Sequence, residues 1–305
     1  MEPRGTMRLG ELLANRKPSI SLEIFPPKTK EAEVRLEKAL PKLLQKRPAF
    51  INVTYGAGGS SKQQTLALVR ELTRITPTPI VPHISGISSS QKEVAKILEC
   101  YLEDGIENIL AVRGDPPKNA QDAPIEGDFR HAIELVRFIK ERATGLCLGV
   151  AGFPEGHPES VSRSEELRHL KAKIEAGAEF IITQLFFDNR CFFEFLDALE
   201  AAGIQVPVIA GILIVTSQKQ LLGIPGIAKG TKIPAPLTSA FQKAVTPEQC
   251  LEVGVSWAVQ QVEGIFASKS PWVHLYTMNQ ARPLERLMER LSVQRLDEID
   301  RDRAF

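Results

Sequence analysis

The chain has 305 residues, 43% hydrophobic and 25% charged, a length and composition that suit one α/β barrel with a large core and require no second domain. With 38 basic against 37 acidic residues the net charge is +1, which gives no electrostatic case for a nucleic acid or an acidic membrane surface as partner.

The first residues, MEPRGTMRLGELLANRKPS, lack the apolar centre of a signal peptide, and no apolar run approaches the ~20 residues of a membrane helix. Short β-branched runs then alternate with longer amphipathic ones. The expected strands are 20–25, 49–54, 79–84, 108–112, 146–151, 180–184, 207–211 and 272–276. The expected helices are 30–46, 61–75, 90–104, 128–142, 163–176, 189–202, 216–223 and 247–267. In KEVAKILECYLEDG, Val94, Ile97, Leu98, Tyr101 and Leu102 recur at helical steps, and glycine closes several helices (Gly105, Gly177, Gly203). Residues 224–237, rich in Pro and Gly, read as an irregular excursion, and RLDEIDRDRAF as a frayed tail. Eight strand–helix alternations predict parallel strands with crossover helices. The fold expected is a single-domain (β/α)8 TIM barrel over residues 1–305, preferred to an open doubly wound sheet. Cys100, Cys147, Cys191 and Cys250 are scattered without a CxxC pair, the pattern of reduced thiols in a cytoplasmic protein.

Polar residues cluster at the carboxyl ends of the expected strands: Glu23, Thr54-Tyr55, His83, Arg113-Gly114-Asp115, the run Phe153–His157, Gln184 and Tyr276–Asn279. The opposite ends carry Ala49, Pro79, Phe180 and Pro207. In a barrel this gathers the polar groups on the face that holds active sites. Glu23, between Leu22 and Ile24, is either satisfied by a core partner or held desolvated as a general acid; Asp115 and Gln184 on the same face favour the acid. Arg113-Gly114-Asp115 also spells an integrin-recognition tripeptide, discounted where it ends a core strand. Arg113 there suits an anionic or carbonyl group, and Asp115 a polar substrate edge. YGAGGSS (55–61) meets neither the GxGxxG nor the P-loop pattern and reads as a tight strand-to-helix turn. Ser162–Glu165 reads as a capping box at a helix start, and Glu166, His169 and Lys173 would then share one helix face. Five histidines show no metal-ligand spacing, so no metal is assigned, and no local Ser–His–Asp arrangement is visible.

SLEIFPPK (21–28), INVTYGAGGS (51–60), PHISG (82–86), NILAVRGDPP (108–117), AGFPEGHPES (151–160), AGAEFIITQLFFD (176–188), GIL (211–213) and HLYTMNQA (274–281) together resemble the methylenetetrahydrofolate reductase family in its short bacterial catalytic form. The resemblance covers nearly the whole chain in order. It implies a barrel flavoprotein that holds FAD on the C-terminal face. Such enzymes pass a hydride from NADH or NADPH to the flavin, then to 5,10-methylenetetrahydrofolate, in a ping-pong reaction giving 5-methyltetrahydrofolate. By matching position it makes Glu23 the proton donor for opening the folate ring, and sets Asp115 near folate and flavin. Gln184 would bond the pterin or the nicotinamide, and Gln220 and Gln280 would lie at substrate-contacting positions. The FAD positions implied are Thr54, Tyr55, Ala57, His83, Arg113, Gly114, Asp115, His131, Ala132, Phe153, His157, Ser160, Glu166, His169, Ala172 and Lys173.

Several residues depart from the family pattern. His131 and Phe153 stand where many relatives have tyrosine, and Ala172 where some have arginine. Ile224 stands where a relative can offer a phenylalanine to stack on the nicotinamide. AGILIV (210–215) lacks two usual prolines, and Gln280 replaces a basic residue. The resemblance also implies a homo-oligomer. Two other readings stay open: the same folate reduction driven by a protein electron donor, or a flavin- or folate-binding relative without turnover.

Overall fold

The structure, a computed structural model, describes residues 7–14, 16–55, 62–114 and 127–291. Ala57 and Asp115 lie outside the described residues, as does the expected tail. Eight parallel strands close into a barrel in sequence order. They are β1 (Ser19–Ile24), β2 (Ile51–Val53), β3 (Ile80–Ser85), β4 (Asn108–Val112), β5 (Cys147–Gly152), β6 (Ala178–Thr183), β7 (Val208–Ile212) and β8 (Trp272–Tyr276). Every expected strand is present within two residues of its expected ends.

The helices are α1 (Leu9–Ala14), α2 (Lys30–Gln45), α3 (Lys62–Ile75), α4 (Gln91–Glu103), α5 (Ala132–Arg142), α6 (Arg163–Glu175), α7 (Asn189–Ala201), α8 (Gln218–Ile227), α9 (Ala235–Lys243), α10 (Pro247–Phe266) and α11 (Ala281–Arg290). Three of these, α1, α9 and α11, are not among the expected helices. The Pro/Gly-rich stretch is half helical: α8 runs through Pro225 to Ile227, residues 228–234 are irregular as expected, and α9 begins after Pro234 with Pro236 in its first turn, where a proline is tolerated. No described helix is long and apolar enough to cross a membrane, and all four cysteines are free thiols.

Strand alternation divides the core. On β1, Ile20, Leu22 and Ile24 pack outward with the helices, so Ser21 and Glu23 point into the barrel. The lower interior is filled by Phe50, Val81, Leu110, Cys147, Phe180, Ile182, Ile209 and Trp272. Helix α1 plugs this end with Leu9 and Leu13, both buried in the same cluster. The Asn108 side chain accepts from Leu9 N at 2.8 Å and donates to Met7 O at 3.2 Å. Glu179 on β6 bonds Arg8 and Lys140. The amino ends of the strands are therefore not uniformly plain: polar residues there serve the plug.

Candidate active site

Above the apolar layers the barrel interior turns polar. Parallel register sets Glu23 beside Asn52 on one side and Tyr276 on the other, and sets Ser21 beside His274. Glu23 is only 5% exposed, and its Oε2 lies 3.6 Å from His83 Nε2 and 3.5 Å from His274 Nε2. Asn52 Nδ2 lies 3.2 Å from His83 Nε2. Burial lowers the His83 imidazole to about 4, with Glu23 pulling the other way and His274 adding to the fall, so His83 is neutral near pH 7. The Tyr276 ring reaches over β7 at Gly211, where a Cβ would sit 2.2 Å from Thr183 O, and its hydroxyl donates to that oxygen at 2.8 Å. Burial, reinforced by Glu23, holds the phenol far above its ordinary range and keeps it a donor.

The end of β8 pins the end of β1. Thr277 Oγ1 donates to Glu23 O at 2.6 Å. Asn279 pairs with the Phe25 backbone as another strand would, accepting from its N at 2.9 Å and donating to its O at 2.8 Å. Met278 and Asn279 take positive φ, 49° and 57°, to make this turn.

Gly114 follows β4 with φ of 84°, and a Cβ there would stand 2.1 Å from Ser85 Oγ and 2.8 Å from Ile87 Cγ2. A glycine is needed for both reasons. Arg113, beside it, forms a two-pronged pair with Glu159 of the β5–α6 loop, the NH2 contact being 2.8 Å. In that loop the Phe153 and His157 rings meet edge to face at 4.5 Å. His157 Nδ1 accepts from Glu159 N, and partial burial pushes the imidazole down. Ser160 N donates to His157 O.

Glu166, buried on α6, pairs with Arg163 through Oε2, while its Oε1 makes no hydrogen bond within the protein. Lys173 is half-buried; loss of water lowers it to about 8 despite Glu166, and its Nζ donates to Ala151 O at 3.3 Å. His169 is exposed and bonds Arg168, and Ala172 is half-buried on the same helix. His131 precedes Ala132 at the exposed start of α5. Thr54 O accepts from Thr65 Oγ1, and the Tyr55 phenol is buried within electrostatic reach of Glu93 and Tyr101 on α4. Thr54, His83, Arg113, Gly114 and the β5–α6 residues thus occupy neighbouring strand ends.

Gln184 Oε1 accepts from Leu185 N. Gln220, through its Oε1, caps the turn before α8 by accepting from Thr216 N and Oγ1. Gln220 and Gln280 line one groove with Tyr276, Thr277 and Met278. Ile224 is fully buried in an apolar cluster with Leu213, Leu221 and Phe241, so its side chain faces the core. The sequence reading missed Ser21, Asn52, His274, Thr277 and Asn279 as supports of Glu23. The available signal was period-two spacing: Ser21 must share a face with Glu23.

A closed barrel with its polar side chains at the carboxyl mouth is the architecture of barrel enzymes. The family model for methylenetetrahydrofolate reductase matches residues 8–292. The 5,10-methylenetetrahydrofolate reductase of Escherichia coli is 33% identical over 264 residues, covering 86% of this chain and 87% of that protein. The methylenetetrahydrofolate reductase (NADH) 1 of Arabidopsis thaliana is 33% identical over 274 residues, covering 86% of this chain and 46% of that protein. The chain therefore spans about half the length of its plant relatives. A solved protein from Clostridium thermocellum that binds two copies of 5-methyl-5,6,7,8-tetrahydrofolic acid shares the fold with a TM-score of 0.65 at 15% identity, over 94% of this chain and 99% of that one. The chain belongs to the methylenetetrahydrofolate reductase family.

Proposed function

We propose that the protein reduces 5,10-methylenetetrahydrofolate to 5-methyltetrahydrofolate, with FAD as cofactor and NADH or NADPH as electron source. The observation that carries the reading is Glu23: a carboxyl group sunk in the mouth of a barrel of this family, flanked by two imidazoles and a phenol. Opening the five-membered folate ring needs a proton on the departing nitrogen, and the burial of Glu23 supports it as the group that holds one. Gln184 bonds the pterin or nicotinamide edge, Gln220 and Gln280 contact substrate along their groove, and Asp115 favours the cation formed as the ring opens.

Bound FAD supplies the two-electron chemistry that side chains cannot. The fit rests on the open valence of Glu166 Oε1 and on the half-buried Lys173, an acceptor and a donor on the same helix. With them, Thr54, His83, Arg113, Gly114, Phe153, His157, Ser160 and His169 hold the cofactor, and Tyr55, Ala57, His131, Ala132 and Ala172 border it. Both substrates use the same face and therefore take turns. The protein acts in the cytoplasm as a homo-oligomer.

Purified protein should carry a yellow chromophore absorbing near ~450 nm, which NADH or NADPH bleaches without oxygen and methylenetetrahydrofolate restores. Bleaching by neither nucleotide, with recovery by folate after chemical reduction, would instead support a protein electron donor. The burial of Ile224, which removes one surface for nicotinamide stacking, favours that second reading.

A further inference from the structure

The Ser21 hydroxyl has two partners and one proton. It lies 3.1 Å from Val273 O, which can only accept, and 2.9 Å from His274 Nδ1, which can do either. The His274 ring cannot turn to relieve this ambiguity. It is fully buried, stacked on Phe50 with centroids 5.9 Å apart, and met edge-on by Tyr276 at 5.4 Å. Its other nitrogen, Nε2, has no hydrogen bond within the protein, and Glu23 Oε2 stands 3.5 Å away.

With a neutral imidazole, two arrangements pair Ser21, His274 and Glu23. In one, Ser21 donates to Val273 O, His274 carries its proton on Nδ1 and donates to Ser21, and Nε2 is a bare acceptor. Only a protonated Glu23 can face that nitrogen favourably. In the other, Ser21 turns to donate to Nδ1, His274 carries its proton on Nε2, and it donates to an ionised Glu23. The two arrangements differ by one proton, the one on Glu23.

We propose that His274 and Ser21 are positioning residues that support Glu23 in both of its protonation states, the imidazole exchanging tautomer and the hydroxyl exchanging partner as the proton leaves and returns. The role in turnover rests on the reductase reading; the coupling of tautomer to Glu23 does not. In the reaction the C–N bond electrons of the folate ring go to the nitrogen, which takes the Glu23 proton. Glu23 becomes a carboxylate, and solvent later returns the proton. A bound reduced cofactor would supply the hydride that the one-carbon unit takes. Among the described residues the titratable groups facing Glu23 are His83 from β3 and His274 and Tyr276 from β8. His83 is held neutral by burial, and Tyr276 keeps its proton. That leaves His274 as the flanking group free to change.

Imidazole nitrogen NMR on histidine-labelled protein, with all five histidines assigned by substitution, reads the tautomer directly without folate. The expected result is Nδ1–H at low pH and Nε2–H at high pH. The change should vanish in S21A and E23Q and persist in S21T, which keeps a hydroxyl. S21A should also slow folate reduction about tenfold, the worth of one hydrogen bond. It should alter kcat and its pH profile while KM stays within twofold, and S21T should restore both. A single tautomer across the pH range, or an exchange unaffected by E23Q, would overturn the proposal. Failure of the wild-type protein to reduce methylenetetrahydrofolate, with the tautomer exchange intact, would refute the reductase reading instead.

Discussion

Replacing Asn279 with alanine should loosen the junction that holds Glu23. The wild-type side chain satisfies both polar groups of Phe25 at 2.8 and 2.9 Å in a half-buried setting. Each such bond contributes about 1 kcal/mol net. Alanine must also hold φ near 57°, where asparagine is tolerated and alanine costs about 1 kcal/mol more. The whole loss for N279A is then about 3 kcal/mol. With a urea slope near 3 kcal/mol/M, the unfolding midpoint should fall by about 1 M. N279G loses the same bonds without the dihedral cost, so its midpoint should fall by only about two-thirds as much. Midpoints for N279A within ~0.2 M of wild type would refute the anchoring role. An N279G midpoint as low as that of N279A would refute the dihedral share.

Three further outcomes follow from named contacts. G114A puts a methyl group 2.1 Å from Ser85 Oγ at φ of 84°, so it should lower stability by about 2–3 kcal/mol, and S85A in the same chain should recover only part, because Ile87 still interferes; urea midpoints check both. His83 is neutral in the fold down to about 4 but takes a proton below about 6.5 when unfolded. The unfolded chain then binds more protons, so His83 should cost stability progressively from pH 6.5 to 4, by up to about 3 kcal/mol, and no further below that. Wild type minus H83Q, measured by urea unfolding across that range, should show this fall; a flat difference would contradict it. K173M should be more stable than wild type near pH 7 and lose that advantage in alkali: the lysine, lowered to about 8, costs stability in full below that pH and progressively less from 8 towards 10.5. The two unfolding curves should converge over that window, and parallel curves would refute the lowered lysine.

The eight strands were legible because each is a short β-branched run bounded by turn residues, and the crossover helices because their apolar positions recur at three and four. Helix α1 was not, since six residues carry too few turns for a period. Helix α9 was hidden by Pro234, Pro236 and the glycines before them, although a first-turn proline such as Pro236 is tolerated in a helix. Helix α11 was legible and overlooked: Leu284, Leu287 and Leu291 share one buried stripe. Glu23 stood out as a charge inside an apolar strand. Its partners did not, because Ser21 meets His274 only through the β1–β8 pairing that closes the barrel. No local pattern joins residues 253 positions apart. Ile224 looked like a position able to face a substrate, and the turn of α8 buries it instead.

The account stands or falls on Glu23 as proton donor. The direct test is anaerobic single-turnover reoxidation of chemically reduced protein by methylenetetrahydrofolate, in wild type and E23Q, followed near ~450 nm. E23Q should keep its chromophore and its reduction by nucleotide while losing roughly 10²–10⁴-fold in the folate step. Reoxidation by folate at the wild-type rate would contradict the assignment.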